Sequence, residues 1–238
     1  MSSLRGPRGA AWRRLRTAVA PSVTYVLITI TLLVFLVQML PGSPVTDALL
    51  YAPAYTLPWT GAPFEPWRLL TVALVHSTGM LLHILFNMLA LWMFGQQVEA
   101  ALGGWRFLVL YVLSALGGSI AVLYWALLVS GEIGQPVVGA SGAIFGLLGA
   151  FFVVARKLGA NTAGIAILIA LNLGIGLFFR TISWQAHVGG LLAGMLIAFI
   201  LVQTRRRAQQ QLQYILLAVT AAALVFLALA PGLVITRP

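Results

Sequence analysis

The sequence predicts an all-α polytopic membrane protein with seven spanning helices, and three observations predict it. Hydrophobic residues make up 61% of the 238, and only 8% are charged, where a soluble domain carries roughly a quarter. Apolar runs near the roughly 20 residues needed to cross the hydrocarbon recur along the chain. The basic residues behind a net charge of +10 fall in short clusters between those runs. No basic face or soluble domain presents them to nucleic acid, so they read as topological anchors in a lipid bilayer.

The first run, 22–40, follows the basic stretch "RRLRTAVAPS" and has the make-up of a signal sequence. It is longer than a usual signal core and no small-x-small cleavage site follows, so it reads as a retained signal-anchor. Arg13-Arg14 without the rest of a twin-arginine motif carries no export signal. Residues 1–21 are then a basic cytoplasmic segment. The further spans are 80–98, 106–129, 139–157, 161–179, 184–204 and 212–231. Glycines, Ser141 and His187 interrupt the fourth and sixth. The seventh follows "QTRRRAQQQLQ" and reads as an appendage, dividing the chain into a six-span core, 22–204, and a basic linker with a last span, 205–238.

The loop at 41–79 holds six prolines with Trp59 and Trp67. Proline excludes a regular spanning helix, while Trp and Arg favour the headgroup level, so this loop lies partly in the interface. A cytoplasmic N-terminus puts Arg5, Arg8, Arg13, Arg14, Arg16, Arg106, Arg156, Lys157, Arg205, Arg206 and Arg207 inside, leaving Arg68, Arg180 and Arg237 outside. That eleven-to-three split is what the positive-inside rule requires, and one span more or fewer would scramble it.

This orientation brings four polar residues to one depth. Spans two, four and six all run inward, and His83, Asn87, Ser141 and His187 lie near their outer ends. At 1.5 Å per residue all four fall in the outer half of the bilayer. Polar residues within spans are costly and mark functional sites by default. Gly142 and Gly146 on span four, and Gly190 and Gly194 on span six, are small-xxx-small pairs that let two backbones approach closely. Close approach would allow the His187 imidazole to take the Ser141 proton and make the hydroxyl a nucleophile. The four carboxylates, Asp47, Glu65, Glu99 and Glu132, lie away from His187, so a Ser–His dyad is the economical arrangement. His83 and Asn87 share a helix face at i and i+4, and with the Ser141 N–H could stabilise an oxyanion. Taken singly, each residue has a plainer reading. Glycines and a serine in a span ordinarily serve packing, a lone histidine bonds a neighbour, and Asn87 or Asn172 serves as interhelical glue. Four such residues on three co-oriented spans at one level are poorly explained by chance.

In order, Trp67-Arg68, "HILFN", "FGQQVEAALGGWRFLVLY" with Glu99 and Gly103, "GASGAIFG" and "SWQAHVGGLLAG" resemble the rhomboid family of intramembrane serine proteases, over roughly residues 64 to 200. The resemblance implies a rhomboid-like six-helix bundle with a seventh C-terminal helix. It makes Ser141 the nucleophile and His187 the general base, then acid, with His83 and Asn87 binding the oxyanion. Gly139, Gly142 and Gly190 would shape the site, and Phe145 would pack on the His187 ring, where some relatives have tyrosine. Substrates would be transmembrane segments of membrane proteins cut near the external face, and span five a lateral gate. The site would need neither cofactor nor metal, and the oligomeric state stays open. A non-catalytic rhomboid-like binder of transmembrane helices would share the fold. A haem- or quinone-binding protein would use His76, His83 and His187 as ligands, and a transporter would need repeats and intramembrane charge pairs that are not evident. No cysteine is present, which removes disulfides, thiolate nucleophiles and Cys-ligated metals. The alanine- and arginine-rich, lysine-poor composition points to a high-GC bacterium, hence an inner (plasma) membrane.

Overall fold

Helices follow all seven apolar runs in a computed structural model that describes residues 22–179 and 182–234. By length and composition four of them are long and apolar enough to cross a membrane, and the first, fourth and fifth are shorter, at 17, 17 and 16 residues. The seven are α1 (Ser22–Gln38), α2 (Leu81–Leu102), α3 (Gly104–Ser130), α4 (Ser141–Lys157), α5 (Ala163–Phe178), α6 (Trp184–Gln203) and α7 (Gln210–Val234). The protein is a multi-pass, all-α membrane protein. The expected N-terminal basic segment, Arg180 and Arg237 lie outside the described residues.

Helix bounds differ from the apolar runs where polar chemistry intervenes. The second helix continues past residue 98 to Leu102, passing through a π-helical turn at Leu91–Gly95. Such a turn shifts the side-chain register within a helix. Gly95 in this turn lies against α1, where an added Cβ would stand 2.9 Å from the Thr24 side chain. Glu99, one turn on, supplies the start of α1 with acceptors. Its carboxylate takes the N–H groups of Val23 at 3.0 Å and Thr24 at 2.8 Å, and the Thr24 hydroxyl at 2.7 Å. Those N–H groups have no partner inside α1, and a negative charge there also meets the helix dipole.

Three helices form the centre: α4 and α6 lie against each other, and α3 packs on both. The two expected glycine pairs make the α4–α6 contact. A Cβ on Gly190 would run into the Gly142 carbonyl, and one on Gly194 into Gly146. On α3, Gly117 and Gly118 meet Gly189 and Ala186 of α6 in the same manner. Without side chains at the crossing, backbone approaches backbone, and dispersion contacts replace the hydrophobic effect that lipid cannot supply. By contrast α5 buries only Gly176 of its 16 residues. Asn172 there faces outward and donates to Leu168 O at 2.8 Å, while Asn87 donates to His83 O at 2.7 Å. Each amide bonds the carbonyl one turn back on its own helix, and among the described residues neither bonds a second helix.

The 39–80 segment is not a loose loop. Short helical turns at Val45–Leu49, Pro53–Thr56, Pro58–Thr60 and Arg68–Thr71 enclose buried Tyr51, Leu57, Leu69, Val75 and His76. Arg68 ties it together: it pairs with Glu65, donates to Asp47 O at 2.6 Å and Leu50 O at 3.0 Å, and lies over the Tyr55 ring. Two further contacts fix the folded segment to the bundle. Ser119 on α3 donates to Leu69 O, and Gly232 on α7 sits so close to Thr56 O that a Cβ would reach 2.6 Å. The appended helix therefore braces the proline-rich segment.

Candidate functional site

Ser141 is the first residue of α4, and the chain reaches it through a conformation that requires glycine. Gly139 has φ +124°, which an L side chain rarely adopts, and a Cβ there would also stand 2.8 Å from His83 Nε2. Backbone bonds hold this approach segment to the proline-rich one. Tyr51 and Val137 exchange N–H···O bonds at 3.2 and 2.7 Å, Ala54 N–H bonds Ile133 O, and Gly139 N–H bonds Val72 O at 3.1 Å. The helix starts at Ser141 rather than residue 139 because Gly139 turns the chain into it. Its first N–H groups consequently face the site with no helical acceptor of their own.

The structure brings His187 and Ser141 together. His187 Nε2 lies 3.0 Å from Ser141 Oγ, across the glycine-lined crossing of α4 and α6. Phe145, one turn below Ser141, stacks on the imidazole with ring centroids 4.1 Å apart and planes 10° from parallel. Ring packing, rather than an acid, fixes the histidine. Its Nδ1 is buried with no hydrogen-bond partner among the described residues. When Nε2 accepts the serine proton, neutral His187 carries its own on Nδ1.

His83 projects from the start of α2 beside Gly139. Ser77 N–H donates to its Nδ1 at 3.4 Å, a long bond that assigns the ring hydrogen to Nε2, on the side facing Gly139. The imidazole thus presents a donor next to the backbone that leads into Ser141. Asn87, one turn further on and largely buried, uses one amide hydrogen on His83 O and has a second to offer.

Two contributors were not assigned to this site from sequence. His76, read there only as a conceivable haem ligand, is fully buried against His83, with rings 5.2 Å apart. Its Nε2 accepts the N–H of Ala140, the residue before Ser141, at 3.4 Å, so that lone pair is already engaged. Burial first, and the neighbouring His83 second, push the His76 pKa down to about 4. Gln38, at the end of α1, holds the His76 peptide with both ends of its amide and also bonds Thr46. A glutamine closing an apolar run was the available signal, since a buried amide needs partners.

A family model described as Rhomboid domain matches residues 63–204. Rhomboid protease GluP of Bacillus subtilis (strain 168) is 37% identical over 183 residues, which cover 75% of this chain and 34% of GluP. RHOMBOID-like protein 5 of Arabidopsis thaliana is 35% identical over 58% of this chain and 45% of its own length. The Bacillus subtilis protein YdcA is 35% identical over 60% of this chain and 71% of its own. The matched part of this chain thus spans a third to a half of the first two relatives and more of the third.

Proposed function

The chain belongs to the rhomboid family, and from that premise we propose that it is a serine endopeptidase acting inside the membrane on transmembrane segments of other proteins. The observation that carries the proposal is the 3.0 Å approach of His187 Nε2 to Ser141 Oγ. His187 takes the hydroxyl proton as Ser141 attacks the scissile carbonyl, and the tetrahedral intermediate places its charge beside the N-terminus of α4. The Ser141 N–H, the Nε2–H of His83 and the free amide hydrogen of Asn87 are the donors for that charge. His187 then returns the proton to the leaving amine, and water hydrolyses the acyl-enzyme by the same steps in reverse order. Gly139, Gly142 and Gly190 supply the close approaches and Phe145 the surface that holds the imidazole.

The substrate and side of action follow from depth and charge. With the arginine-rich end cytoplasmic, Ser141, the first residue of α4, opens toward the external face. Peptide bonds in an intact helix are shielded, so the target is a segment that unwinds readily. The sparse packing of α5 supports its movement to admit such a segment. Labelling the purified full chain with a fluorophosphonate tests the assignment. Wild type should label and Ser141→Ala should not, while His187→Ala should fold yet fail to cleave a model transmembrane substrate. Equal labelling of wild type and Ser141→Ala would sink the nucleophile.

A further inference from the structure

The far end of the bundle holds a second polar site. Lys157 closes the helix that Ser141 begins, about 24 Å away along it. There Arg106, Arg205, Arg206 and Arg207, with Thr204 and Gln210, line an open cavity of about 390 Å³ between α3 and the α6–α7 connection. Arg106 and Arg205 also border a second cavity of about 290 Å³, which adds Lys157 and the apolar walls of Leu102, Leu158 and Leu201.

This arrangement is built, and it differs from a scatter of surface charge. Gln213 of α7 is almost wholly buried and donates to Leu201 O, Thr204 O and Thr204 Oγ1, while its Oε1 accepts from Arg106 Nε at 2.8 Å. The knot joins three helices and holds Arg106, which lines both cavities. Among the described residues no carboxylate pairs with any of the five cations. Glu99, on the preceding helix, spends its oxygens on Val23 and Thr24. Trp105 and Tyr214, both partly exposed, meet here with rings 5.6 Å apart, and Arg106 lies over the Trp105 ring. Exposed Trp and Tyr mark the headgroup level of a membrane.

We propose that these two neighbouring cavities, which share Arg106 and Arg205 in their walls, together bind an anionic phospholipid, its phosphate among Arg106, Arg205 and Arg206 and an acyl chain along Leu102, Leu158 and Leu201. The guanidinium fork matches phosphate oxygens, and the apolar annex distinguishes a lipid from a soluble anion. Basic pockets between helices on the cytoplasmic side are where such headgroups bind.

The full chain, purified in neutral detergent, is titrated with dioleoyl phosphatidylglycerol, dioleoyl phosphatidylcholine and inorganic phosphate, with bound lipid read by native mass spectrometry. Phosphatidylglycerol should bind in preference to the other two. Arg205→Gln, at an exposed position, should weaken it about fivefold, as should Arg106→Gln where that variant folds. Arg156→Gln, an exposed cation at the same end that lines neither cavity, should change it less than twofold. An equal loss in Arg156→Gln would reduce the effect to general surface charge and overturn the site. Phosphate binding as tightly as phosphatidylglycerol, or phosphatidylcholine doing so, would overturn the anionic-lipid assignment.

Discussion

Gln38 grips the backbone of His76 at both ends of one side-chain amide: Nε2 donates to His76 O and Oε1 accepts from His76 N–H, each at 3.0 Å. His76 in turn accepts the N–H of Ala140. The end of the first span is thereby connected to the residue before the proposed nucleophile through two bonded steps. Packing alone would not give this: an amide clamp fixes register and direction as well as distance.

Gln38→Leu keeps the volume and strands the buried N–H and C=O of His76. Each stranded group costs about 1–3 kcal/mol, so the thermal midpoint should fall. Because Ala140 would shift with His76, cleavage should lose about tenfold or more in kcat with KM little changed. Gln38→Glu retains the acceptor alone and should fall between the two. An unchanged kcat in a folded Gln38→Leu protein would show that the clamp serves stability only.

Gly190→Ala forces a methyl group into the Gly142 carbonyl. Neither backbone can yield without separating α4 from α6, so the cost is about 2 kcal/mol or more. The Ser141–His187 bond crosses the same interface, and fluorophosphonate labelling should drop with stability. Gly174→Ala, on α5, meets nothing within 4 Å and should label as wild type. Parallel behaviour of the two variants would contradict the glycine account of the site.

The seven helices were legible because lipid demands long apolar runs, though three of them are shorter than a full span, and the Ser141–His187 approach because glycine pairs at i and i+4 announce close crossings. What escaped was carried by residues outside regular helices. His76 lies in a segment whose prolines conceal its fold, and only folding shows that its imidazole meets Ala140. Gln38 closes an apolar run, and nothing in the run says which backbone its amide will find. The π-turn at Leu91–Gly95 leaves no mark in hydropathy, so the extension of α2 to Leu102, which carries Glu99 to the start of α1, was missed. Asn172 misled for the opposite reason: a polar residue in a span invites a partner on another helix, and the Leu168 carbonyl one turn back on its own helix sufficed.

Phe145→Leu removes the ring stacked on His187 while keeping most of the buried volume. Aromatic stacking contributes about 0.5–1.5 kcal/mol beyond area, and the imidazole has no acid on Nδ1 to hold it otherwise. The expected result is a kcat lower by about three- to tenfold, with KM and thermal midpoint close to wild type. Phe145→Tyr keeps the stack and should stay within about twofold. Steady-state cleavage of one model substrate by all three proteins decides it, and equal kcat for Phe145→Leu would remove the ring from the mechanism.

His76 gives stability a pH dependence whose sign is fixed. Its pKa is about 4 in the folded protein, against about 6.5 in an unfolded chain. Between these values the unfolded state takes up a proton that the folded state refuses, so folding weakens as pH falls through the window. The change is about 1.4 kcal/mol per pH unit, and it levels off below about pH 4, where both states are protonated. In His76→Gln a side-chain carbonyl can still accept the Ala140 N–H but does not titrate. Thermal midpoints measured from pH 7 to 4 should therefore fall less steeply in the variant than in wild type. Parallel curves across that range would mean that His76 is not held neutral by its burial against His83.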